Sequence, residues 1–251
     1  MIRPQVIFFP VVLMETAAWR TPFSPRQVRS EAPDYARGNA WQYTWSVMHD
    51  VRGLMMLLGG PQAFVRKLDE LFDQPPIIEG EQAPPEMAGL IGQYAHGNAP
   101  SHHVAYLYAY AGAPWKSAGR VRQIASTLYG TGPEGLCGSE GCGQLSAWYL
   151  FSAMGFYPVN PAEGVYVIGA PQVEKAAIDL GGQRTFTIEA PGLSPADKYV
   201  TGATLNGKPL DRAWVSHADI AAGGTLRVTM GAEPNAAWAS SPDAAPPSMT
   251  K

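Results

Sequence analysis

Charge is scarce in this chain of 251 residues. Only 16% are Asp, Glu, Lys or Arg, and the formal net charge is -3. No basic face is offered to nucleic acid, and there is no acidic tail. Cysteine is nearly absent: Cys137 and Cys142 stand in a C-x4-C spacing. A zinc site would need two further ligands, which His102 and His103 could supply only through folding. The pair reads as two free thiols, with a disulfide as the alternative in an oxidising compartment. Long apolar runs are missing too. Val6 to Met14 is too short to span a bilayer, so no membrane partner is expected. Led by a lone Arg3 and broken by Pro10, it makes a poor signal peptide despite Thr16-Ala17-Ala18, and a truncated or alternative start is the better reading.

What is present is apolar and aromatic. Hydrophobic residues make up 46% of the chain, enough for one large domain or two smaller ones with real cores. Seven Trp, eleven Tyr and eight Phe suit a carbohydrate-handling protein, and equally a merely aromatic core. Against this background two polar clusters stand out. His96-Gly97-Asn98-Ala99-Pro100-Ser101-His102-His103 holds three of the five histidines, and Gly138 to Trp148 opens a helix. Polar groups packed this densely look like the wall of a site.

The pattern divides the chain. Residues 1–38 read as an irregular N-terminal segment. A helical part follows over 39–158. It has one long helix from Trp41 to Leu58 ended by Gly59-Gly60, and another from Pro61 through Phe72. After a Pro-rich loop come a short helix Met87 to Tyr94, helices Val104 to Tyr110 and Lys116 to Tyr129, and one from Gln144 to Met154. A β-rich module over 159–238 contains strands at Val165–Ile168, Ala176–Leu180, Thr185–Ile188, Tyr199–Leu205, Trp214–Ser216 and Thr225–Met230. Turn signals separate them at Gly181-Gly182, Asn206-Gly207 and Gly223-Gly224. Residues 239–251 are rich in Pro, Ala and Ser and read as a disordered tail. The fold class is α then β.

Several stretches in this order resemble glycoside hydrolase family 92, the calcium-dependent exo-acting α-mannosidases. They are Gly38-Asn39-Ala40-Trp41-Gln42-Tyr43-Thr44-Trp45, His49-Asp50, Gly53-Leu54, Gly59-Gly60, His96 to His103, Tyr106 to Trp115, Cys142 to Phe151, Gly155-Phe156-Tyr157-Pro158 and Leu205-Asn206-Gly207-Lys208. The resemblance covers most of residues 19–238, roughly the last third of a family member. It implies a partial (α/α)6-type helical barrel followed by a small antiparallel β module, without the family's N-terminal β-sandwich. Half a barrel leaves apolar helix faces without partners, which a separate polypeptide supplying the missing N-terminal domains would cover. It also implies exo-hydrolysis of α-linked mannose by inversion, α-mannosides or mannose-containing glycans as partners, calcium as cofactor, and export.

Inversion needs two carboxyl groups, one to protonate the leaving oxygen and one to activate water on the opposite ring face. Calcium needs six to eight oxygen ligands, carboxylates among them. Three positions depart from this pattern. Where the family carries the Glu that looks like the general acid, this chain has Arg37, which stays protonated and cannot serve. His-Gly-Asn-Glu-Pro becomes His-Gly-Asn-Ala99-Pro. The Asp that looks like the general base becomes Gly141. Loss at both catalytic positions points to impaired hydrolysis, since general acid or base help alone contributes roughly 10²–10⁴-fold. Glu140 and Asp34, one and three residues from the lost groups, could rescue catalysis only through a register shift.

The remaining candidates are substrate contacts at His96, Asn98, His102, His103 and Trp41, with Asn98 also a metal ligand. Each has a structural alternative. The histidine pair can cap and fill a core, and Asn98 can simply turn the chain. Trp41, Tyr43 and Trp45 can pack within the helices rather than carry a sugar ring. Asp50 can cap a helix. Four functions therefore compete: an impaired mannosidase, a mannosidase completed by a second polypeptide, a non-catalytic sugar-binding module, and an interaction module presenting bare helix faces.

Overall fold

The computed structural model describes residues 12–13, 18–19, 22–28, 35–80 and 83–250. Asp34 and most of the N-terminal segment lie outside these residues. Within that segment, β1 (Val12–Leu13) pairs with β2 (Ala18–Trp19), and β3 (Gln27–Val28) runs parallel to β4 (Glu79–Gly80).

The single helix expected over 41–58 is two. α1 (Ala40–Tyr43) is one turn long and α2 spans Val51–Leu57. The run is broken between Tyr43 and Val51, and each helix starts on its own cap. Asn39 and Gln42 form a reciprocal capping box on α1, and Asp50 caps α2 by accepting from Gly53 N at 3.1 Å. α3 (Pro61–Asp73) begins at the proline after Gly59-Gly60, both at positive φ, and buries Phe64, Leu68, Leu71 and Phe72 on one face. The short helix expected over 87–94 is a hairpin of β5 (Leu90–Ile91) and β6 (Tyr94–Ala95). Gly92 turns it at φ +62°, pressed so closely on α3 that a Cβ would lie 2.4 Å from Leu71 O.

The middle of the molecule is the segment Val104–Ala111, a 3₁₀ helix of eight residues in which 104–110 are all buried. So long a 3₁₀ run is uncommon, and here packing on every side holds it. α4 (Pro114–Thr127) and α5 (Gln144–Met154) lie beside it.

Two sheets follow. β7 (Phe156–Tyr157), β8 (Val165–Ile168) and β13 (Trp214–Ser216) form an antiparallel sheet in the order β13-β8-β7. β9 (Lys175–Asp179), β10 (Thr185–Glu189), β11 (Tyr199–Leu205), β12 (Lys208–Pro209) and β14 (Gly224–Gly231) form the other, in the order β12-β11-β14-β10-β9. The module is mixed rather than antiparallel, because β10 and β14 pair in parallel, Phe186 opposite Gly224. A short α6 (His217–Ala221) separates β13 from β14. Asn206 and Gly207, both at positive φ, make the two-residue turn that the Asn-Gly signal predicts. One buried cluster runs from Trp41 through the 3₁₀ segment to Val228, so helices and sheets share a core.

The tail expected to be disordered is packed. Trp214 donates to Ala245 O at 3.1 Å, and Ala239 and Ala244 are buried. Residues 248–250 close on the α2 cap. Asp50 Oδ1 accepts from Ser248 Oγ and from Thr250 N at 2.9 Å each, while Oδ2 accepts from Thr250 Oγ1 at 2.7 Å. These bonds hold the Asp50 carboxyl far below the usual carboxylate range. The Pro- and Ser-rich composition hides this because the attraction is to one distant side chain. Asp50→Ala should therefore lower the thermal midpoint, as should removal of residues 248–251. The two changes combined should lower it little further than either alone, as differential scanning calorimetry would read.

Candidate active-site cavity

The second polar cluster begins on an awkward backbone. Glu140, Cys142 and Gly143 have φ of +50°, +54° and +74° around Gly141, left-handed values that disfavour side-chain-bearing residues. Gly143 precedes α5 without a side chain to cap it, and Glu140 supplies the cap instead. Its carboxylate accepts from Leu145 N at 3.0 Å and Ser146 N at 3.2 Å. Glu140 Oε2 thus spends its acceptor capacity on the helix.

The first cluster packs against α5. Trp148 donates through Nε1 to His102 O at 3.0 Å, and its ring meets that of His96 edge-on at 4.5 Å. Proton counting settles the His96 tautomer. Tyr129 gives its single proton to Leu145 O at 3.0 Å, so it accepts from His96 Nε2–H at 2.6 Å, and His96 Nδ1 accepts from Tyr94 at 2.7 Å. His102 donates through Nε2 to His96 O at 2.8 Å and accepts at Nδ1 from Gln144 at 3.2 Å. Both rings are fully used as neutral imidazoles. Burial, with the His102 ring nearby, drives the His96 pKa down to about 2. Burial drives His102 down to about 4 and lowers His103 as well.

A cavity of about 320 Å³ opens where these segments meet. It is lined by Asn98, His102, Gln144 and Glu140, and by all three positions where the sequence departs from the family pattern, Arg37, Ala99 and Gly141. Asn98 donates to Arg37 O at 3.2 Å, joining the two walls. Sequence reasoning missed Glu86, which also lines the cavity and pairs with Arg37 at 3.1 Å. It sits in a Pro-rich loop with no periodicity to mark it.

Three predicted contacts lie elsewhere. His96 is enclosed behind His102. His103 is buried and donates to Trp45 O at 2.7 Å. Trp41 is buried in the core with Lys67 Nζ 4.0 Å from its ring centre. Cys137 and Cys142 are both free thiols, and no group of three His, Cys, Asp or Glu able to hold a metal occurs among the described residues.

Comparison with known proteins agrees with this architecture. Residues 9–232 match the glycosyl hydrolase family 92 catalytic domain. The chain belongs to that family. It is similar to an "uncharacterized secreted glycosidase" of Arthroderma benhamiae, 30% identical over 88% of this chain and 26% of the relative. It is also similar to the family GH92 α-mannosidase BT3965 of Bacteroides thetaiotaomicron in complex with mannoimidazole. There the TM-score is 0.89 and the identity 37%, over 98% of this chain and 33% of that one. The inverting mannosidase BT2199 of the same organism superposes with a TM-score of 0.80 at 35% identity, over 93% of this chain and 32% of that one. The chain therefore spans about a third of the length of these mannosidases. Among the described residues, no helix is long and apolar enough to cross a membrane.

The buried histidines set a pH dependence. Unfolding frees them to bind protons near the ordinary value of 6.5, whereas the folded rings resist charging. Their stability contribution is complete above pH 6.5 and is lost as pH falls, each ring giving up about 1.4 kcal/mol per pH unit. The His102 share stops growing near pH 4, and that of His96 near pH 2. Urea unfolding at steps of pH should show this slope, reduced between 6.5 and 4 in a His102→Asn variant.

Proposed function

We propose that the cavity is a family 92 mannose site that has lost its acid and base, binding terminal α-linked mannose of glycans while hydrolysing it poorly or not at all. The convergence of Arg37, Ala99 and Gly141 on one cavity carries this reading. In the inherited reaction, an exo-acting inversion, a carboxylic acid at position 37 would protonate the leaving oxygen and a carboxylate at 141 would activate water. Arg37 offers a guanidinium that cannot donate usefully, and Gly141 offers nothing. Glu140, tied to α5, is a cap rather than a replacement base. What remains can still bind a sugar. Asn98 presents an amide oxygen, Arg37 retains open N–H donors with its side chain 72% exposed, and the neutral ring of His102 completes the wall. His96, His103 and Trp41 serve by holding that wall rather than by touching substrate.

Calcium does not fit the residues present. Among the described residues that line the cavity, the two carboxylates are taken, Glu86 by Arg37 and Glu140 by backbone amides, and a guanidinium stands where a cation would be repelled. Asn98 alone is no calcium site, so no step is routed through the metal. By the same descent, α1 to α5 correspond to part of an (α/α)6 barrel preceding the β module, and the protein is exported. Met56, Leu57 and Leu150 are exposed on α2 and α5. They favour a packing surface suited to the family's other domains.

Incubation of the purified chain with α-1,2-mannobiose tests the reading. The expected result is saturable movement of the Asn98 and His102 amide resonances without mannose release. Gly141→Asp meets no steric obstacle, since a Cβ there finds nothing within 4 Å. Combined with Arg37→Glu it should raise hydrolysis on the order of 10²-fold or more above the wild type. Clear wild-type release that Glu140→Gln abolishes would overturn the impaired reading, and unmoved cavity resonances would overturn the mannose-binding one.

A further inference from the structure

A second, larger cavity of about 470 Å³ lies between α4 and the start of β11, away from the site above. The aromatic motif Tyr106 to Trp115 ends there in a half-buried Trp115 ring that the proposed function leaves unused. One helical turn on, a Cβ at Gly119 would stand 3.2 Å from Tyr199 Cε1, so the glycine lets a second ring lie against the helix. The polar groups between these rings are already fixed. Lys116 Nζ lies 2.6 Å from Asp69 Oδ2. Arg120 reaches Asp73 at 3.0 Å through Nη2 and Gln123 Oε1 at 3.1 Å through Nη1. Arg122 is spent on Pro171 O, Gln172 and Ser194 O.

An inorganic anion would find Lys116 and Arg120 neutralised by Asp69 and Asp73, and Arg122 held by neutral oxygens. A pyranose would find the aromatic rings of Trp115 and Tyr199 for its C–H groups and rigid donor–acceptor pairs for adjacent hydroxyls, in a cleft of suitable size. We propose that this cleft is a second, non-catalytic glycan site that takes a neutral oligosaccharide of pyranose units. It does not depend on the chemistry of the Arg37 cavity, although both would hold a glycan.

The test is a titration of the ¹⁵N-labelled full chain with α-1,2-mannobiose and, separately, with inorganic phosphate. The expected result is saturable movement of the Gly119, Gln123 and Tyr199 amides with the sugar. Trp115→Ala should abolish it, as should Ser126→Tyr, which fills the cleft from an exposed position should the Trp115 variant fail to fold. Arg37→Ala should leave it intact. The proposal is overturned if these amides stay still, if they respond to phosphate but not sugar, or if their movement survives Ser126→Tyr. Failure of the first reading would show separately, at Asn98 and His102.

Discussion

The indole of Trp148 is the contact on which the site depends. It is wholly buried, donates to His102 O at 3.0 Å, takes the edge of His96 at 4.5 Å and stacks on Tyr129 at 5.7 Å. Through it the loop of the first cluster is locked to α5, whose N-terminus begins at the turn holding Glu140 and Gly141. Losing a buried ring of this size costs about 3–5 kcal/mol, comparable to half the stability of an ordinary domain. The same contact thus fixes both the fold and the relative position of the cavity's walls.

That arrangement separates geometry from charge. His102 reaches the cavity wall while His96 and His103 are buried away from it, and all three imidazoles stay neutral at physiological pH, each held by hydrogen bonds assigned to a definite atom. Among the described residues lining the cavity, the carboxylates are otherwise engaged, Glu86 by Arg37 and Glu140 by the first turn of α5. Positions on the cavity surface such as Arg37, Ala99 and Gly141 can vary while the layer beneath, which stability maintains, keeps its shape. Family membership, read from that deeper layer, therefore says more about ancestry and fold than about turnover.

Much of this was legible in the residues. α5 begins and ends where the apolar run and Gly155 place it, and β8, β11 and β13 fall where turn signals bound them. Such elements are decided by local periodicity and punctuation. The errors arose where distant groups decide. Asp50 starts a second helix inside one apolar run, and the side chains of Asn39 and Gln42 bind Gln93 across more than fifty residues. Gly92 turned an expected helix into a hairpin by its approach to α3. The parallel pairing of β10 with β14 and the packing of the tail on Asp50 likewise need partners that no window of sequence contains. At the site, Arg37, Ala99 and Gly141 stood out against a pattern and met in space. Glu86 had no such pattern and became visible only through its ion pair.

The strained turn beside the cavity has a practical side. Cys142 is exposed, one residue from the cavity-lining Gly141, whereas Cys137 is half-buried and its thiol is pushed up by burial, which suppresses the reactive thiolate. The chain thus carries a natural attachment point next to a residue that lines its own cavity. A fluorophore or spin label placed there would report what enters without a single substitution.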